Sequence, residues 1–301
     1  MKRVVSVSIG SSTRDHEAQV SQFGEMFHVQ RIGTDGDLNK AVALLKELDG
    51  KVDAIGIGGI AFYVTTGRRN YYFRDAKKLL HACKKTPVVD GSGLKHILER
   101  HVVRHVHENV TGLSKKRVLL VSALDRWGMA SGFYDVGADV TLGDFMFGLG
   151  LSIPLKSLAS VSLVGSLILP VATKMPFKWL YPIGEEQEKR VARFHDFYNA
   201  ADVIAGDYHY IHRHMPDSLA GKIVVTNTVT PRDIDELKEK KASFLVTTTP
   251  NMNGRSFGTN VLEAMMAAAL EKRAEDIHPR DYANFLSGAD LAPRIERFAR
   301  S

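Results

Sequence analysis

Short apolar runs alternate with amphipathic stretches along most of the chain. The runs Val4–Ile9, Arg117–Ser122 and Phe244–Thr248 are rich in β-branched residues, which is typical of buried strands. In Asp37–Leu48, apolar residues recur at helical spacing. Strands that alternate with helices predict βαβ units and a largely parallel sheet.

The same patterns predict the remaining elements. We expect further strands at 27–32, 52–58, 87–89, 140–142, 202–205 and 222–226, helices at 15–26, 75–84, 94–107 and 184–200, and a hairpin around 66–69. A polar break at 112–116 divides the chain into an N-terminal α/β domain, 1–111, and a C-terminal Rossmann-like domain, 117–301. The predicted fold class is therefore α/β, with two domains and largely parallel sheets. The apolar segment 158–176 is interpreted as core, lid or interface.

Composition narrows the class of protein. With 301 residues, 44% of them hydrophobic, the chain can bury a large core, and its net charge of +6 suits an anionic small molecule. The basic residues are scattered, so we expect no nucleic-acid partner. Cys83 is the only cysteine, which favours the cytoplasm and leaves no Cys-based metal site. No metal and no membrane contact are expected, and a homo-oligomer is left open.

The loop before the last apolar helix has the composition of an anion-binding site. It follows the predicted strand at 244–248 and contains glycines and donors, namely Gly254, Arg255, Ser256, Gly258, Thr259 and Asn260. Glycine lets a ligand approach the backbone, and a helix amino terminus attracts anions. A plain connection with Asn260 as the helix cap remains the alternative.

Two loops of the first half contain candidate substrate or catalytic residues. Ser11, Ser12 and Arg14 follow the first strand and could hold a hydroxylated or anionic ligand. Asp90 ends a later strand, and Lys95 lies in the first turn of the next helix, so the two could share a proton-transfer site. Helix capping is the alternative for the first loop, and an exposed lysine is the alternative for the second.

In the second half, polar residues again follow strands. Asp207 and His209 are close enough to act as an acid and base, and Asn227, Thr228 and Thr248 would line one side of a cleft. The stretch from Arg117 to Val140 resembles the opening of a Rossmann unit.

In that unit, Asp125, Gly128 and Asp144 are the candidate cofactor-binding residues. The sequence Asp125-Arg-Trp-Gly128 replaces the usual glycine-rich turn. Asp125 as a helix cap is the alternative.

The segments Asp202-Val-Ile-Ala, Val225-Thr-Asn-Thr228 and Gly254–Asn260 together resemble the shikimate/quinate 5-dehydrogenase family. The resemblance is loose and covers most of the chain. It implies an N-terminal domain that binds a polyol acid and a C-terminal domain that binds NAD or NADP. It also implies that Ser11 and Ser12 bind the substrate carboxylate, that Lys95 is catalytic and that Asn227 lies at the cofactor.

The leading expectation is an NAD(P)-dependent oxidation of a hydroxylated carboxylic acid, in which Lys95 assists proton transfer. Two alternatives stay open. One is a lyase, isomerase or transferase acting on a phosphorylated small molecule, with Asp207 and His209 as acid and base. The other is a non-enzymatic, two-lobed sensor of an anionic ligand.

Overall fold

The protein has an α/β fold with two domains and mostly parallel sheets, which confirms the predicted fold class. The structure, a computed structural model, describes residues 1–176, 191, 193–227, 229–249, 251–252, 255–256, 258–288 and 292–298. For residues 251–252, 255–256 and 288, it describes the backbone alone.

The first domain is built on a five-stranded sheet in the order β2-β3-β1-β4-β7, in which only β2 is antiparallel to its neighbour. Its strands are β1 (Lys2–Ser8), β2 (His16–Gln22), β3 (Glu25–Gly33), β4 (Ala54–Gly58) and β7 (Val88–Val89). The predicted hairpin around 66–69 is confirmed by β5 (Tyr63–Thr65) and β6 (Asn70–Tyr72), which pair antiparallel.

The second sheet has six strands in the order β15-β12-β11-β10-β8-β9, and only β15 runs antiparallel. Its strands are β8 (Arg117–Leu120), β9 (Asp139–Leu142), β10 (Val203–Ala205), β11 (Ile223–Thr226), β12 (Phe244–Thr247) and β15 (Arg294–Arg297). A short antiparallel pair, β13 (Asn251–Met252) and β14 (Arg255–Ser256), follows β12.

Helices connect most of these strands. They are α1 (Leu38–Leu48), α2 (Arg74–Leu80), α3 (Ser92–Asn109), α4 (Trp127–Asp135), α5 (Asp144–Leu149), α6 (Leu158–Ala172), α7 (His195–Ala200), α8 (Tyr208–His214), α9 (Pro231–Glu239), α10 (Thr259–Leu270) and α11 (Pro279–Gly288). Of the helix predicted over 184–200, residues 195–200 form α7, and 184–190 and 192 lie outside the described residues.

The helix predicted over residues 15–26 is wrong, because these residues form β2 and the turn into β3. Phe23 and Gly24 both have positive φ, 57° and 75°, as a tight turn between antiparallel strands requires. The side chains of β2 alternate between more and less exposed positions. Such alternation is typical of an edge strand, and it outweighs the helical propensity of Glu17 and Ala18.

One hydrophobic core runs between the two sheets. Val4 and Val29 of the first sheet, Leu98 and Val103 of α3, and Phe133 of α4 belong to the same buried cluster. Helix α3 packs closely on α4 because α4 has glycine where the two helices meet. A Cβ added to Gly128 would lie 2.2 Å from the carbonyl oxygen of His96. Helix α3 therefore joins the two domains through packing as well as through the chain.

Helix α10 belongs to the second half of the sequence but packs on β4 and β1 of the first sheet. A Cβ added to Gly56 of β4 would lie 2.6 Å from the carbonyl oxygen of Asn260. Glycine in a strand thus allows close approach of a helix. The two sheets are therefore not covered by separate stretches of chain. The division at 112–116 stays a prediction.

Helix α6 contains most of the apolar segment 158–176. Val161, Gly165 and Leu169 are buried on one side, whereas Leu163 and Leu167 are 66% and 73% exposed. The segment is therefore not core along its full circumference. Within the described part of the chain, every helix is too short or too polar to cross a membrane.

Candidate functional site

The carboxyl-terminal ends of strands from both sheets meet near the amino terminus of α3. Lys95 lies in the first turn of α3, and Asp125 lies in the loop between β8 and α4. Lys95 Nζ donates a hydrogen bond of 2.8 Å to Asp125 Oδ1. Each side chain is 13% exposed. Two predicted site residues from different domains are therefore in direct contact.

Asp90, the predicted partner of Lys95, forms hydrogen bonds with other residues of the first domain. Its carboxylate accepts hydrogen bonds from the backbone N–H of Phe62 at 2.6 Å and from the hydroxyl of Ser92 at 2.5 Å. Burial raises the pKa of Asp90 more than these hydrogen bonds and Lys95 lower it. Asp90 thus holds the start of α3 and the residue before β5 in place. It forms no hydrogen bond or ion pair with Lys95.

Arg126 is the centre of a buried ion-pair network. Its guanidinium donates to Glu99 Oε1 at 2.7 Å and to Asp207 Oδ2 at 2.8 Å, and its Nε lies 3.1 Å from Asp125 Oδ2 as an ion-pair contact. The Arg126 side chain is 6% exposed. Together with Lys95, these residues form what we call the charge network: Lys95, Glu99, Asp125, Arg126 and Asp207.

The network holds Asp125 and Arg126 charged against the cost of burial. Burial alone would raise the pKa of Asp125, but Lys95 and Arg126 together hold it well below its usual range. Burial would lower the pKa of Arg126, but Asp125, Glu99 and Asp207 raise it. For Glu99, burial raises the pKa more than the two cations lower it. The site therefore favours the charged forms of Asp125 and Arg126 and shifts Glu99 toward its neutral form.

Both carboxylate oxygens of Asp207 accept hydrogen bonds, which bears on the predicted role of Asp207 as an acid or base. Its Oδ2 also accepts from Asn227 Nδ2 at 2.8 Å, and its Oδ1 accepts from the backbone N–H of His209 at 2.9 Å as the cap of α8. Among the described residues, no hydrogen bond joins the His209 ring to Asp207. The structure thus brings Asp207 together with Asn227, and it forms no hydrogen bond between Asp207 and the ring of His209.

The turn after β8 differs from a dinucleotide-binding turn in a specific way. Asp144 accepts hydrogen bonds of 3.0 Å from the backbone N–H groups of Ala123 and Leu124. In a Rossmann unit, donors of this turn contact the pyrophosphate. Burial raises the pKa of Asp144 to about 6. Gly128 serves the contact with α3 described above, so neither predicted cofactor residue is placed as the fingerprint requires.

The predicted anion-binding loop is described in part. Gly258 precedes α10, and Thr259 and Asn260 form its first turn. Asn260 Nδ2 donates to Ser6 Oγ at 2.9 Å, and a Cβ added to Gly91 would lie 2.6 Å from the Asn260 nitrogen. This turn is therefore packed against the first domain. Gly254 and Thr228 lie outside the described residues, as do the side chains of Arg255 and Ser256.

The first loop forms its own local hydrogen-bond system. Ser11 Oγ accepts from the backbone N–H of Thr13 at 3.2 Å, and the backbone N–H of Ser12 donates to Asp35 at 2.7 Å. Arg14 is exposed. No hydrogen bond or ion pair between described residues links this loop to the charge network. The capping alternative accounts for Ser11, and a substrate role for Ser11, Ser12 and Arg14 stays a prediction.

Two buried threonine side chains follow β12. Thr248 Oγ1 and Thr249 Oγ1 are buried and form no hydrogen bond with any described residue. Buried polar atoms are normally hydrogen-bonded, so such atoms near strand ends often bind water or a ligand. The predicted site residue Thr248 is therefore buried with an unused hydroxyl.

An open pocket of about 450 Å³ lies between the two domains. On one side are Thr66 and Arg68 of the β5–β6 turn, and on the other are Trp127 of α4 and Ser162 and Ser166 of α6. The remaining lining residues are Gly67, Leu158, Ala159 and Leu163. We call this the interdomain pocket. Its volume is in the range that small-molecule sites occupy.

Several residues of the site were not predicted. Glu99, Arg126 and Trp127 are brought together by the contact of α3 with α4, which the chain pattern does not reveal. Glu263 is 3% exposed and accepts a hydrogen bond of 2.5 Å from Tyr282. Burial, and then Asp90, raise the pKa of Glu263 to about 8. A single carboxylate within the apolar run of α10 was the available signal.

Two protein-family models match parts of the chain. A family model described as Domain of unknown function (DUF8754) matches residues 93–298, and another, Domain of unknown function (DUF8753), matches residues 3–90. The chain belongs to the first of these families. No curated protein sequence matches it significantly.

The solved structures similar to the chain include three described as sugar-binding proteins. The substrate-binding protein of a sugar ABC transport system from Bordetella parapertussis 12822 is 11% identical, with 90% of this chain and 80% of that chain covered and a TM-score of 0.38. A glucose-galactose binding protein from Geobacillus stearothermophilus is 10% identical, with 99% and 97% covered and a TM-score of 0.38. A galactofuranose binding protein is 12% identical, with 95% and 98% covered and a TM-score of 0.33. These likenesses are too loose to assign a ligand.

The expected membership in the shikimate/quinate 5-dehydrogenase family is wrong, because the two family models that match the chain are domains of unknown function and neither is that enzyme family. The oxidoreductase function that depended on it is wrong for the same reason. The geometry agrees with this correction. Lys95, the expected catalytic residue, is ion-paired with Asp125, and Asp144 uses backbone donors that a pyrophosphate would need. Binding of NAD or NADP itself remains an untested prediction.

Proposed function

We propose that this chain is a non-enzymatic binding protein that takes a small hydroxylated molecule bearing a carboxylate into the interdomain pocket. The observation that carries the proposal is the pocket itself, about 450 Å³ between the two domains. Among the described residues, its polar lining consists of hydroxyl groups and the cation Arg68, beside the indole of Trp127.

The chemistry of this lining suits such a ligand. Thr66, Ser162 and Ser166 each offer a hydroxyl that can both donate and accept, as the hydroxyls of a sugar also do. The flat ring of Trp127 offers apolar surface to the C–H face of a ring-shaped ligand. Arg68 can pair with a carboxylate, and none of the described residues that line the pocket is acidic.

The charge network supports a binding role over a catalytic one. Asp207 accepts hydrogen bonds at both carboxylate oxygens, and Lys95 is bound to Asp125. A general base needs a lone pair within reach of the substrate proton. These candidate acids and bases are engaged with one another, and their arrangement stabilises the contact between the domains.

The test is a fluorescence titration that uses Trp127 as the reporter. The other of the two tryptophans, Trp179, is replaced by Phe, and the protein is titrated with glucose, glucuronate and NADH. We expect saturable binding of glucuronate and weaker binding of glucose. Binding of NADH alone, or of none of the three by folded protein, would contradict the proposal.

A pair of arginine variants tests the contribution of charge. Arg68→Gln removes the lining cation, and Arg69→Gln removes its neighbour, which lies over the ring of Tyr71 at 5.4 Å and does not line the pocket. An exposed ion pair contributes up to about 1 kcal/mol, so Arg68→Gln should weaken glucuronate binding about fivefold. It should leave glucose binding unchanged, and Arg69→Gln should change neither. Equal loss in both arginine variants would show that the pocket does not hold the carboxylate.

A further inference from the structure

Helix α6 has an apolar face on each of its two opposite sides. Val161, Gly165 and Leu169 recur every fourth residue and form the buried side. Leu163 and Leu167 recur with the same spacing but begin two residues later, which places them about 200° around the helix. A surface helix of a soluble domain normally has polar residues on that outer side.

The outer face of α6 is apolar and uncharged, and it continues into the turn after the helix. We define it as Leu163, Leu167, Ile168, Val171 and Met175, which are 39–73% exposed. Helix α6 itself contains no charged residue from Leu158 to Ala172. A continuous apolar strip along an exposed helix is a candidate contact surface.

The inner side of α6 is held firmly, so the outer face is fixed in place. A Cβ added to Gly165 would lie 2.9 Å from Leu124 of the second domain and 3.0 Å from Thr66 of the first. At the end of the helix, the carbonyl oxygen of Thr173 accepts a hydrogen bond of 2.9 Å from the backbone N–H of Arg74. The helix therefore spans both domains and displays its apolar outer face to solvent.

Exposed basic side chains lie at both ends of the outer face, and two of them have an acidic neighbour. Lys156 precedes the helix, is 60% exposed and lies 3.6 Å from Asp139 Oδ1, and Arg74, next to the helix end, is 59% exposed and lies 3.8 Å from Asp75 Oδ1. Lys174 follows the helix and is also exposed. The sequence contains no Asp or Glu between Asp144 and Glu185. Basic residues at both ends of an exposed apolar helix complement an anionic surface.

The dimensions and charges favour a membrane over a second copy of the chain. A 15-residue helix is about 22 Å long, and a strip about 10 Å wide along it covers roughly 220 Å². A stable protein interface buries about 800 Å² on each partner. Pairing of two α6 helices would also bring the basic ends Lys156 and Lys174 of the copies close to each other.

We propose that α6 docks this protein on the surface of an anionic lipid bilayer, with the outer face in contact with the acyl-chain boundary. This is a peripheral attachment that leaves the rest of the chain in water. It departs from the expectation, based on the sequence alone, that no membrane contact occurs. It is independent of the ligand proposed above.

The test is flotation of the purified full-length protein with vesicles. One vesicle contains phosphatidylcholine alone, and the other contains phosphatidylcholine with 30% phosphatidylglycerol. We expect several-fold more protein to float with the anionic vesicles, and part of that binding to be lost at high salt.

Variants locate the contact. Leu167→Gln with Val171→Thr changes the outer face but spares Leu163, which also lines the interdomain pocket. This double variant should lose most of the flotation while keeping the wild-type melting temperature and ligand affinity, since both positions are exposed. Met26→Gln is the control, because Met26 is 45% exposed on β3 and is not on α6.

Three outcomes would overturn the proposal. The first is no flotation with anionic vesicles, and the second is equal flotation of the double variant and the wild type. The third is a wild-type dimer in light scattering that the double variant converts to a monomer, which would assign the outer face to a second copy of the chain.

Discussion

Substitution of Arg126 by Met should destabilise the protein far more than removal of an exposed arginine. Arg126 contacts Glu99, Asp125 and Asp207 at 2.7–3.1 Å, and its side chain is 6% exposed. Methionine fills similar space but leaves the three carboxylates without their shared cation. Breaking a buried ion pair from one side costs about 3–5 kcal/mol. At about 2 °C per kcal/mol for a chain of this size, the melting temperature should fall by roughly 6–10 °C.

The matched control is Arg100→Met, which changes the residue next to Glu99 on α3. Arg100 pairs with Asp135, but the two side chains are 52% and 39% exposed. Exposed pairs contribute about 0–1 kcal/mol, so this variant should lose at most about 2 °C. Thermal unfolding followed by circular dichroism measures both variants.

The pH dependence supplies a second readout. Without Arg126, the pKa values of the buried carboxylates rise, and their protonation becomes favourable in the folded state. A folded pKa above the unfolded value gives stability that is present at low pH and lost as pH rises. The deficit of Arg126→Met should therefore be smaller at pH 5 than at pH 7.5. A loss below 2 °C, or a deficit that does not change with pH, would refute this account of the network.

Three further predictions concern packing and titration. Gly67→Ala and Gly24→Ala both place alanine at φ 75°, but only Gly67→Ala puts a Cβ 2.3 Å from the Trp127 ring. The Gly67→Ala variant should therefore have a lower melting temperature than Gly24→Ala and an altered tryptophan fluorescence. Equal melting temperatures of the two variants would contradict the contact. The melting temperature of Glu263→Gln should rise by several degrees relative to that of the wild type as pH rises from 5 to 9. The folded pKa of about 8 lies above the usual 4.5, so the wild type loses the stability linked to the protonated acid over that range. Melting temperatures that change in parallel with pH would be inconsistent with a buried neutral acid. Asn260→Ala removes a 2.9 Å hydrogen bond between α10 and the first sheet and should cost about 1 kcal/mol in urea unfolding, and no change would mean that packing alone holds this turn.

The sequence pattern predicts the fold class well because most strands of both sheets are buried and parallel. Such strands are continuous apolar runs, as in β8 and β12, and helices separate them. The antiparallel strands β2 and β15 are exceptions, and β2 is a half-exposed edge strand with a composition that also suits a helix. Its assignment depends on pairing with β3, which is a tertiary effect that local propensity does not contain.

The candidate site is predictable only as a set of positions after strands. Lys95, Asp125, Asp207 and Asn227 are each predicted as site residues in segments that follow strands, and hydrogen bonds and ion pairs join them through Arg126. Their partners are not predictable in this way. Glu99 reaches Arg126 only because α3 crosses from the first sheet to α4, so the hydrogen bonds that decide the role of each residue join distant parts of the chain.

The return of α10 to the first sheet has a consequence for synthesis of the protein in the cell. The strands of that sheet are complete at Val89, but the helix that covers β1 and β4 begins about 170 residues later, at Thr259. At ribosomal rates of about 5–20 residues per second, the apolar face of a nascent first sheet waits roughly 10–30 s for its cover. A chain released before this helix is made would expose that face, so premature termination between Val89 and Thr259 should yield products that chaperones and proteases recognise.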